Sequence, residues 1–169
     1  MDISIGILMD PIQNIKTHKD SSFAMLLEAQ RRGWSIHYMQ TEDLFSMDGQ
    51  PFARMRQLRV NDDPEHWFDF QNDQTRPLGS LDVILMRKDP PFDMEYIYST
   101  YLLEQAEAKG TLVINRPGAL RDANEKLYSA WFPQCCPPTL VSSRHQDYID
   151  FLQQHGDIIV KPLDGMGGA

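Results

Sequence analysis

The last residues of the chain combine a lysine with a run of glycines. Lys161 stands at the end of a predicted strand, and residues 165–168 follow in the order Gly-Met-Gly-Gly. Glycines let backbone N–H groups approach a phosphate closely, and a lysine neutralises phosphate charge. The pattern predicts a phosphate-binding loop, although a glycine turn beside a solvated lysine fits it equally well. A Walker motif is excluded because no Gly-Lys-Ser/Thr follows, and the lone Gly6 of the first predicted strand makes no dinucleotide-binding fingerprint.

Two adjacent cations, Arg87 and Lys88, stand at the carboxyl end of another predicted strand, and a stiff Pro-Pro pair comes shortly after them. In open α/β sheets ligands collect at the carboxyl ends of the strands, where adjacent cations suit an anionic ligand. Spacing alone favours a simpler interpretation, in which a strand-to-helix turn carries its cations in surface ion pairs.

Asp20, Ser21 and Ser22 open a predicted helix. Their oxygens and the N–H groups of the first turn could bind an anionic or zwitterionic ligand. Such residues more often cap the helix, and we favour capping here. A further cation, Lys126, lies in a predicted helical stretch, where a lysine by itself indicates only a solvated face.

Composition and spacing exclude several other functions. The formal net charge is −8, and an acidic protein repels the phosphates of a nucleic acid. The five histidines show neither metal-ligand spacing nor a paired nucleophile. Cys135 and Cys136 are adjacent, which predicts free thiols in a reducing compartment rather than a disulfide or a zinc site. Since the sequence shows no membrane span and no export signal, we expect a cytoplasmic protein.

Short apolar runs alternate with amphipathic helices along the chain, and these elements must position the candidate site residues. The alternation predicts an α/β fold with a mostly parallel sheet and helices on both faces. Asp48-Gly49 between two apolar segments predicts a hairpin, and the polar segment 61–79 predicts a loop with a short helix. The predicted strands are 4–9, 34–39, 81–87, 111–115, 139–142 and 157–161, and the predicted helices are 21–32, 94–109, 117–132 and 143–156.

Taken in order along the chain, these segments resemble the bacterial glutathione synthetase family of the ATP-grasp superfamily. The resemblance spans the whole chain, with little contribution from 45–79. It is carried by GILMDP at 6–11, KDSSFAMLLEAQ at 19–30, LMRKDPPFD at 85–93, NEKL at 124–127 and KPLDGMGGA at 161–169. It implies a Rossmann-like pre-ATP-grasp domain over residues 1–125 and the truncated start of an ATP-grasp domain over residues 126–169.

The resemblance implies an ATP-dependent carboxylate–amine ligase that joins γ-glutamylcysteine to glycine and releases ADP and phosphate. In such enzymes the substrate carboxylate attacks the γ-phosphate, and the amine of glycine then displaces phosphate from the acyl phosphate. Contacts to ATP are expected from Lys126, Lys161, Gly165, Met166, Gly167 and Gly168. The γ-glutamylcysteine site is expected to contain Arg87, with Asp20, Ser21 and Ser22 as weaker candidates.

The resemblance also implies a homo-oligomer and Mg²⁺ or Mn²⁺, which the family binds through acidic and Asn residues downstream of the glycine loop. This chain ends within that loop, so we expect residues 1–169 alone to lack turnover. Neither a metal ligand nor a complete catalytic set is expected within the chain. Two alternatives remain open. One is another peptide-forming ATP-grasp ligase, against which the Arg87 cluster argues, and the other is a non-catalytic α/β ligand-binding module.

Overall fold

The computed structural model describes residues 2–165. Within them seven strands form one sheet: β1 (Ser4–Met9), β2 (Ser35–Met39), β3 (Leu44–Met47), β4 (Gln50–Val60), β5 (Phe68–Pro77), β6 (Val83–Arg87) and β7 (Leu112–Ile114). The α-helices of this part are α1 (Ser21–Arg31), α2 (Met94–Glu107), α3 (Pro117–Asp122) and α4 (His145–His155), and none of them is long and apolar enough to cross a membrane. The strands predicted at 4–9, 34–39, 81–87 and 111–115 and the helices predicted at 21–32 and 94–109 are all present, with ends that differ by at most two residues.

The sheet is mixed, with a parallel half and an antiparallel half. β2, β1, β6 and β7 run parallel in that order, so Ile5 of β1 pairs with Ile36 on one side and with Val83 on the other. β4 pairs antiparallel with β2, β3 and β5. The predicted α/β class is confirmed, and its parallel strands carry an antiparallel extension.

β1 is the strand at which the chain changes direction across the sheet. From β1 the chain passes through α1 to β2, whereas β6 lies on the other side of β1 and leads through α2 to β7. In open α/β sheets such a topological switch leaves a crevice outside the carboxyl ends of the two strands, where ligands bind. Here the crevice lies at Met9 of β1 and Arg87 of β6, which are paired in register.

Helices cover both faces of the sheet, as predicted. Successive side chains of a strand point to opposite faces. Ile7 of β1 is therefore buried with Phe23 and Leu26 of α1, while Leu8 is buried in a second cluster with Leu103 of α2. Each such fully buried aliphatic side chain contributes about 1.5–3 kcal/mol to folding, so the two helices fix the central strands from both sides.

The predicted hairpin is present as the turn between β3 and β4. Asp48 and Gly49 have φ angles of 51° and 71°. Two consecutive residues with positive φ form a type I′ turn, whose twist matches that of the flanking strands. Asp and Gly suit this turn because both tolerate the left-handed region better than other residues do.

The prediction of a loop and short helix for 61–79 is wrong, because most of this segment is β5. The strand pairs antiparallel with β4 along its length. Phe68 and Phe70, at alternate positions, pack against the core, whereas residues 71–75 are exposed. An edge strand with so few apolar residues lacks the alternation by which strands are recognised.

The helical stretch predicted for 117–132 is interrupted. After α3, a separate 3-10 turn covers Leu127–Trp131. Between the two, the side chain of Asn124 accepts hydrogen bonds from the N–H groups of Lys126 at 3.1 Å and of Leu127 at 2.9 Å. An Asn side chain that bonds to nearby backbone in this way competes with helix formation, which explains the interruption.

The strands predicted for 139–142 and 157–161 are not formed among the described residues. A strand needs a neighbour to satisfy its backbone N–H and C=O groups. Neither segment pairs with a strand within residues 2–165, and Ile159 is 84% exposed. Lys161 is consequently not at the end of a strand.

His37 of β2 makes the stability of this fold depend on pH. The ring is buried, Nε2 accepts a hydrogen bond from Arg76 Nη1 at 3.2 Å, and Nδ1 has no partner among the described residues. Burial, and to a smaller extent the charge of Arg76, lower the pKa of His37 from 6.5. As the pH falls below 6.5, the unfolded chain therefore binds a proton that the folded chain resists.

We expect the free energy of unfolding to retain the full contribution of His37 above pH 6.5 and to lose it as the pH falls from there. The limiting slope is about 1.4 kcal/mol per pH unit. In urea titrations at several pH values below 6.5, His37→Leu should reduce the slope relative to the parent protein. An equal slope in the parent protein and the His37 variant would contradict this account.

Candidate functional site

Charged and hydroxyl side chains meet at the crevice outside the carboxyl ends of β1 and β6. The loop after β1 contributes Asp10, and β6 ends at Arg87, which Lys88 follows. The first turn of α1 contributes Ser21 and Ser22. We call this place the switch-point crevice, and the bonds within it determine which charges are available to a ligand.

Arg87 is held in the switch-point crevice by two hydroxyl groups. Its Nε donates to Ser22 Oγ and its Nη2 donates to Ser21 Oγ, both at 2.9 Å. No carboxylate within residues 2–165 forms an ion pair with Arg87. A hydroxyl satisfies a guanidinium N–H without neutralising its charge. The half-buried Arg87 therefore keeps a fixed positive charge, in a planar group that suits a carboxylate.

Lys88 differs from its neighbour because it pairs with Asp10. Lys88 Nζ lies 2.9 Å from Asp10 Oδ1, and Asp10 Oδ2 accepts the N–H of Asp89 at 2.8 Å. The interpretation as surface ion pairs thus holds for Lys88 and fails for Arg87 among the described residues. Sequence reasoning missed Asp10, whose position directly after a buried strand and before a proline was the available signal.

Two aromatic side chains fix the loop that follows β1. The hydroxyl of Tyr38 accepts the N–H of Ile12 and donates to the carbonyl of Asp10, each at 3.3 Å. Trp67 Nε1 donates to the carbonyl of Ile12 at 3.0 Å. Burial raises the pKa of Tyr38 to about 12, so its hydroxyl stays protonated and remains a donor at neutral pH. The antiparallel extension therefore supports the crevice through Trp67, which precedes β5.

Asp20 is the N-cap of α1, as the preference for capping predicted. Its backbone is extended, and its Oδ1 accepts the N–H of Phe23 at 2.8 Å. Its Oδ2 makes no hydrogen bond within residues 2–165. Capping thus occupies one carboxylate oxygen and leaves the other free for a ligand.

A cavity of about 280 Å³ opens between the loop after β1, the start of α1 and the loop after β6. Its charged lining residues are Asp10, Lys16, Lys19, Asp20 and Asp89. Arg87 does not line this cavity, but the lining residue Asp20 directly precedes Ser21, whose Oγ accepts a hydrogen bond from Arg87, and the lining residues Asp10 and Asp89 are bonded to each other in the loops after β1 and β6. A larger cavity of about 370 Å³, on the antiparallel extension, contains none of the sequence-predicted site residues.

The predicted ATP-contacting residues are brought together in part. Lys126 Nζ donates to the carbonyl of Gly165, and Asn124 Nδ2 donates to the carbonyl of Leu163 at 2.9 Å. The side-chain oxygen of Asn124 therefore accepts hydrogen bonds from the turn that follows it, and the side-chain nitrogen donates to the segment before the glycines. Met166, Gly167 and Gly168 lie outside the described residues.

A backbone hydrogen bond joins this second group to the loop that follows Arg87. The N–H of Phe92 donates to the carbonyl of Asp164 at 3.0 Å, next to Gly165. Lys161, in contrast, is exposed and forms no ion pair within the part of the chain that the structure describes. Lys126 and Gly165 are thus connected to the loop that follows Arg87, whereas no hydrogen bond or ion pair among the described residues connects Lys161 to it.

Family models match two consecutive parts of the chain. The N-terminal domain of prokaryotic glutathione synthetase matches residues 3–121, and the ATP-grasp domain of prokaryotic glutathione synthetase matches residues 125–169. The class of protein is therefore an α/β domain that leads into an ATP-grasp domain.

Three curated relatives show how far the similarity extends. Glutathione synthetase from Yersinia pestis is 62% identical over 167 residues, which cover 98% of this chain and 52% of that protein. The protein of that name from Pseudomonas syringae pv. tomato is 59% identical over 169 residues, 100% of this chain and 53% of its own. The one from Escherichia coli O6:H1 is 58% identical over 167 residues, 99% of this chain and 53% of its own.

This chain belongs to the prokaryotic glutathione synthetase family. It spans about half the length of the curated relatives it matches, and the matched part is their N-terminal half.

Asp20 and Asp93 form a matched pair of caps, since Asp93 accepts the N–H of Tyr96 at the start of α2 at 3.0 Å. We expect Asp20→Ala and Asp93→Ala each to lower the free energy of unfolding by about 1 kcal/mol, because each leaves a first-turn N–H without its acceptor. The corresponding Asn variants should lose much less, since Asn also caps. Urea unfolding measures all four, and an unchanged stability in Asp20→Ala alone would contradict the capping role.

Proposed function

We propose that this chain forms the dipeptide-binding part of an ATP-dependent ligase that joins γ-glutamylcysteine to glycine and gives glutathione, ADP and phosphate. The family to which the chain belongs supports these substrates. The observation that carries the proposal is Arg87, a half-buried cation held by hydroxyls at a topological switch point. γ-Glutamylcysteine bears two carboxylates, and a guanidinium without a carboxylate partner is suited to bind one of them.

The proposed reaction passes through an acyl phosphate. The cysteinyl carboxylate attacks the γ-phosphorus of ATP, and ADP leaves. The amine of glycine then attacks the acyl carbon, loses a proton and displaces phosphate as the amide bond forms. Such catalysis depends mainly on positioning the reactants and neutralising their charge, and this is the contribution we assign to Arg87 with Ser21 and Ser22.

We further propose that the ATP contacts of this chain come from Lys126, Lys161, Gly165, Met166, Gly167 and Gly168. The bond between Lys126 Nζ and the carbonyl of Gly165 supports a shared site for these two residues. A lysine ammonium has three N–H donors, so Lys126 can keep this bond while it contacts a phosphate. The connection of Lys126 to the loop after Arg87, through Gly165 and Asp164, supports a location of ATP close to the dipeptide.

The metal that the family implies does not fit the residues described here. Residues 2–165 contain no group of three or more His, Cys, Asp or Glu side chains that could hold a metal ion. We therefore derive no metal-dependent step from this chain. We propose that the Mg²⁺ or Mn²⁺ ligands belong to the sequence that follows in the relatives, and that residues 1–169 alone do not turn over.

The domain division, oligomeric state and location of the protein are further proposals. We propose that one domain spans residues 1–125 and that residue 126 begins the next, close to where the two family matches meet. We propose a homo-oligomer, which the family resemblance implies, and a cytoplasmic location.

A chimera in which residues 1–169 precede the remainder of the Yersinia pestis relative tests the proposed reaction. We expect it to release ADP only when γ-glutamylcysteine and glycine are both present, and we expect residues 1–169 alone to release none. ADP release that requires a different peptide or amine would identify another peptide-forming ligase. Binding of γ-glutamylcysteine by a folded chimera without ADP release would indicate a non-catalytic module.

Substitution of Arg87 in the same chimera tests its role. Arg87→Ala should raise the KM for γ-glutamylcysteine about 10- to 100-fold, with a much smaller effect on the KM for ATP, because a charge-assisted pair with the dipeptide is lost. Arg87→Lys should recover part of the loss, since it keeps the charge without the planar fork.

The matched control for this series is Arg59→Ala. Arg59 is exposed and follows Leu58, which pairs with Ile36 near the amino end of β2, away from the switch-point crevice. Its substitution should leave both KM values unchanged. If Arg87→Ala and Arg59→Ala have the same KM for γ-glutamylcysteine, Arg87 does not bind the dipeptide.

A further inference from the structure

We infer that the 280 Å³ cavity beside Arg87 is a subsite for the α-amino acid end of the γ-glutamyl group, with separate residues for its ammonium and its carboxylate. The inference deepens the proposed function and rests on it. The cavity is smaller than the sites that enclose drug-sized ligands, and its size suits one charged end group with its water.

The charges that line the cavity differ in how far they are already satisfied. Asp10 is neutralised by Lys88 and bonded to the N–H of Asp89, so it acts as part of the frame. The side chains of Asp89, Lys16 and Lys19 form no ion pair within residues 2–165. Acidic and basic side chains that form no ion pair among the described residues therefore line the same small cavity.

Asp20 and Asp89 are suited to hold the ammonium. Asp20 is only partly exposed, its Oδ1 is fixed on the N–H of Phe23, and its Oδ2 remains an acceptor without a partner among the described residues. Because the cap fixes the direction of this carboxylate, little conformational entropy is lost when it binds a cation. A charge-assisted hydrogen bond from an ammonium to such an oxygen is stronger than a neutral one.

Lys16 and Lys19 are suited to hold the α-carboxylate. Both side chains are exposed, so water screens their charge and each contributes less than a buried cation would. This division leaves Arg87 for the other carboxylate of the dipeptide, on its cysteinyl end. The two ends of γ-glutamylcysteine are then recognised by different groups of side chains on either side of Ser21.

Three ligands separate these roles in titrations of the 169-residue protein followed by NMR. They are γ-glutamylcysteine, glutarylcysteine, which lacks the α-ammonium, and 4-aminobutanoylcysteine, which lacks the α-carboxylate. We expect glutarylcysteine to bind about tenfold more weakly than γ-glutamylcysteine, the size expected for one charge-assisted hydrogen bond. We expect 4-aminobutanoylcysteine to bind about three- to fivefold more weakly, because the lysines are screened.

Two variants test which residues cause the difference in affinity between γ-glutamylcysteine and each analogue. Asp20→Asn keeps the cap and removes the charge, so it should weaken γ-glutamylcysteine about tenfold and leave glutarylcysteine unchanged. The double variant Lys16→Gln, Lys19→Gln should weaken γ-glutamylcysteine and leave 4-aminobutanoylcysteine unchanged. Asp93→Asn, the same change at the cap of α2, is the control and should alter none of the three affinities.

The subsite is overturned if Asp20→Asn weakens all three ligands equally, if the analogues bind as tightly as γ-glutamylcysteine, or if the folded protein binds none of them. These outcomes are distinct from a failure of the proposed function. ADP release by the chimera without discrimination in the titrations contradicts the subsite alone. Discrimination without glycine-dependent ADP release supports the subsite and contradicts the ligase.

Discussion

β1 is paired in parallel on both edges and buried on both faces, and the candidate site depends on this constraint. From Ile5 to Met9, a strand enclosed in this way carries only apolar side chains and one glycine, since a buried unpaired polar group is costly. Charged residues can first appear where the backbone leaves the sheet, at Asp10. The register that places Met9 opposite Arg87 then brings the two loops together, so strand pairing and not loop sequence sets the position of the charges.

Local bonds give the two neighbouring cations at this edge different roles, because one of them supports the loops and the other keeps its charge available for a ligand. Lys88 is neutralised by Asp10 and ties the loop after β1 to the loop after β6. Arg87 is oriented by the first turn of α1 but keeps its charge. A half-buried cation without a counter-ion carries a desolvation cost that an anionic ligand can offset, so the same arrangement that costs stability favours carboxylate binding.

Sequence reasoning predicted the elements that are buried on one or both faces, because burial imposes an apolar pattern. It failed for elements that are determined by strand pairing or by side-chain hydrogen bonds. β1, β6, α1 and α2 have apolar patterns dictated by the two cores, so their residues predict them. β5 is mostly exposed, and only its pairing with β4 reveals it. The bonds of Asn124 divide a stretch whose composition suits a helix. The contact between Arg87 and Ser22 joins residues 65 positions apart, a distance at which spacing carries no information. The family resemblance had assigned both to one pocket, a role that remains a proposal.

The central claim is that the charge of Arg87, which pairs with no carboxylate among residues 2–165, meets a carboxylate of the dipeptide. The most direct measurement is the Nε–H resonance of Arg87 in ¹⁵N-labelled protein during titration with γ-glutamylcysteine. The account predicts that this resonance shifts and saturates together with the amides of Ser21 and Ser22, while the Nε–H resonance of Arg59 stays in place. A titration that saturates at other residues while the Arg87 resonance does not move would contradict it.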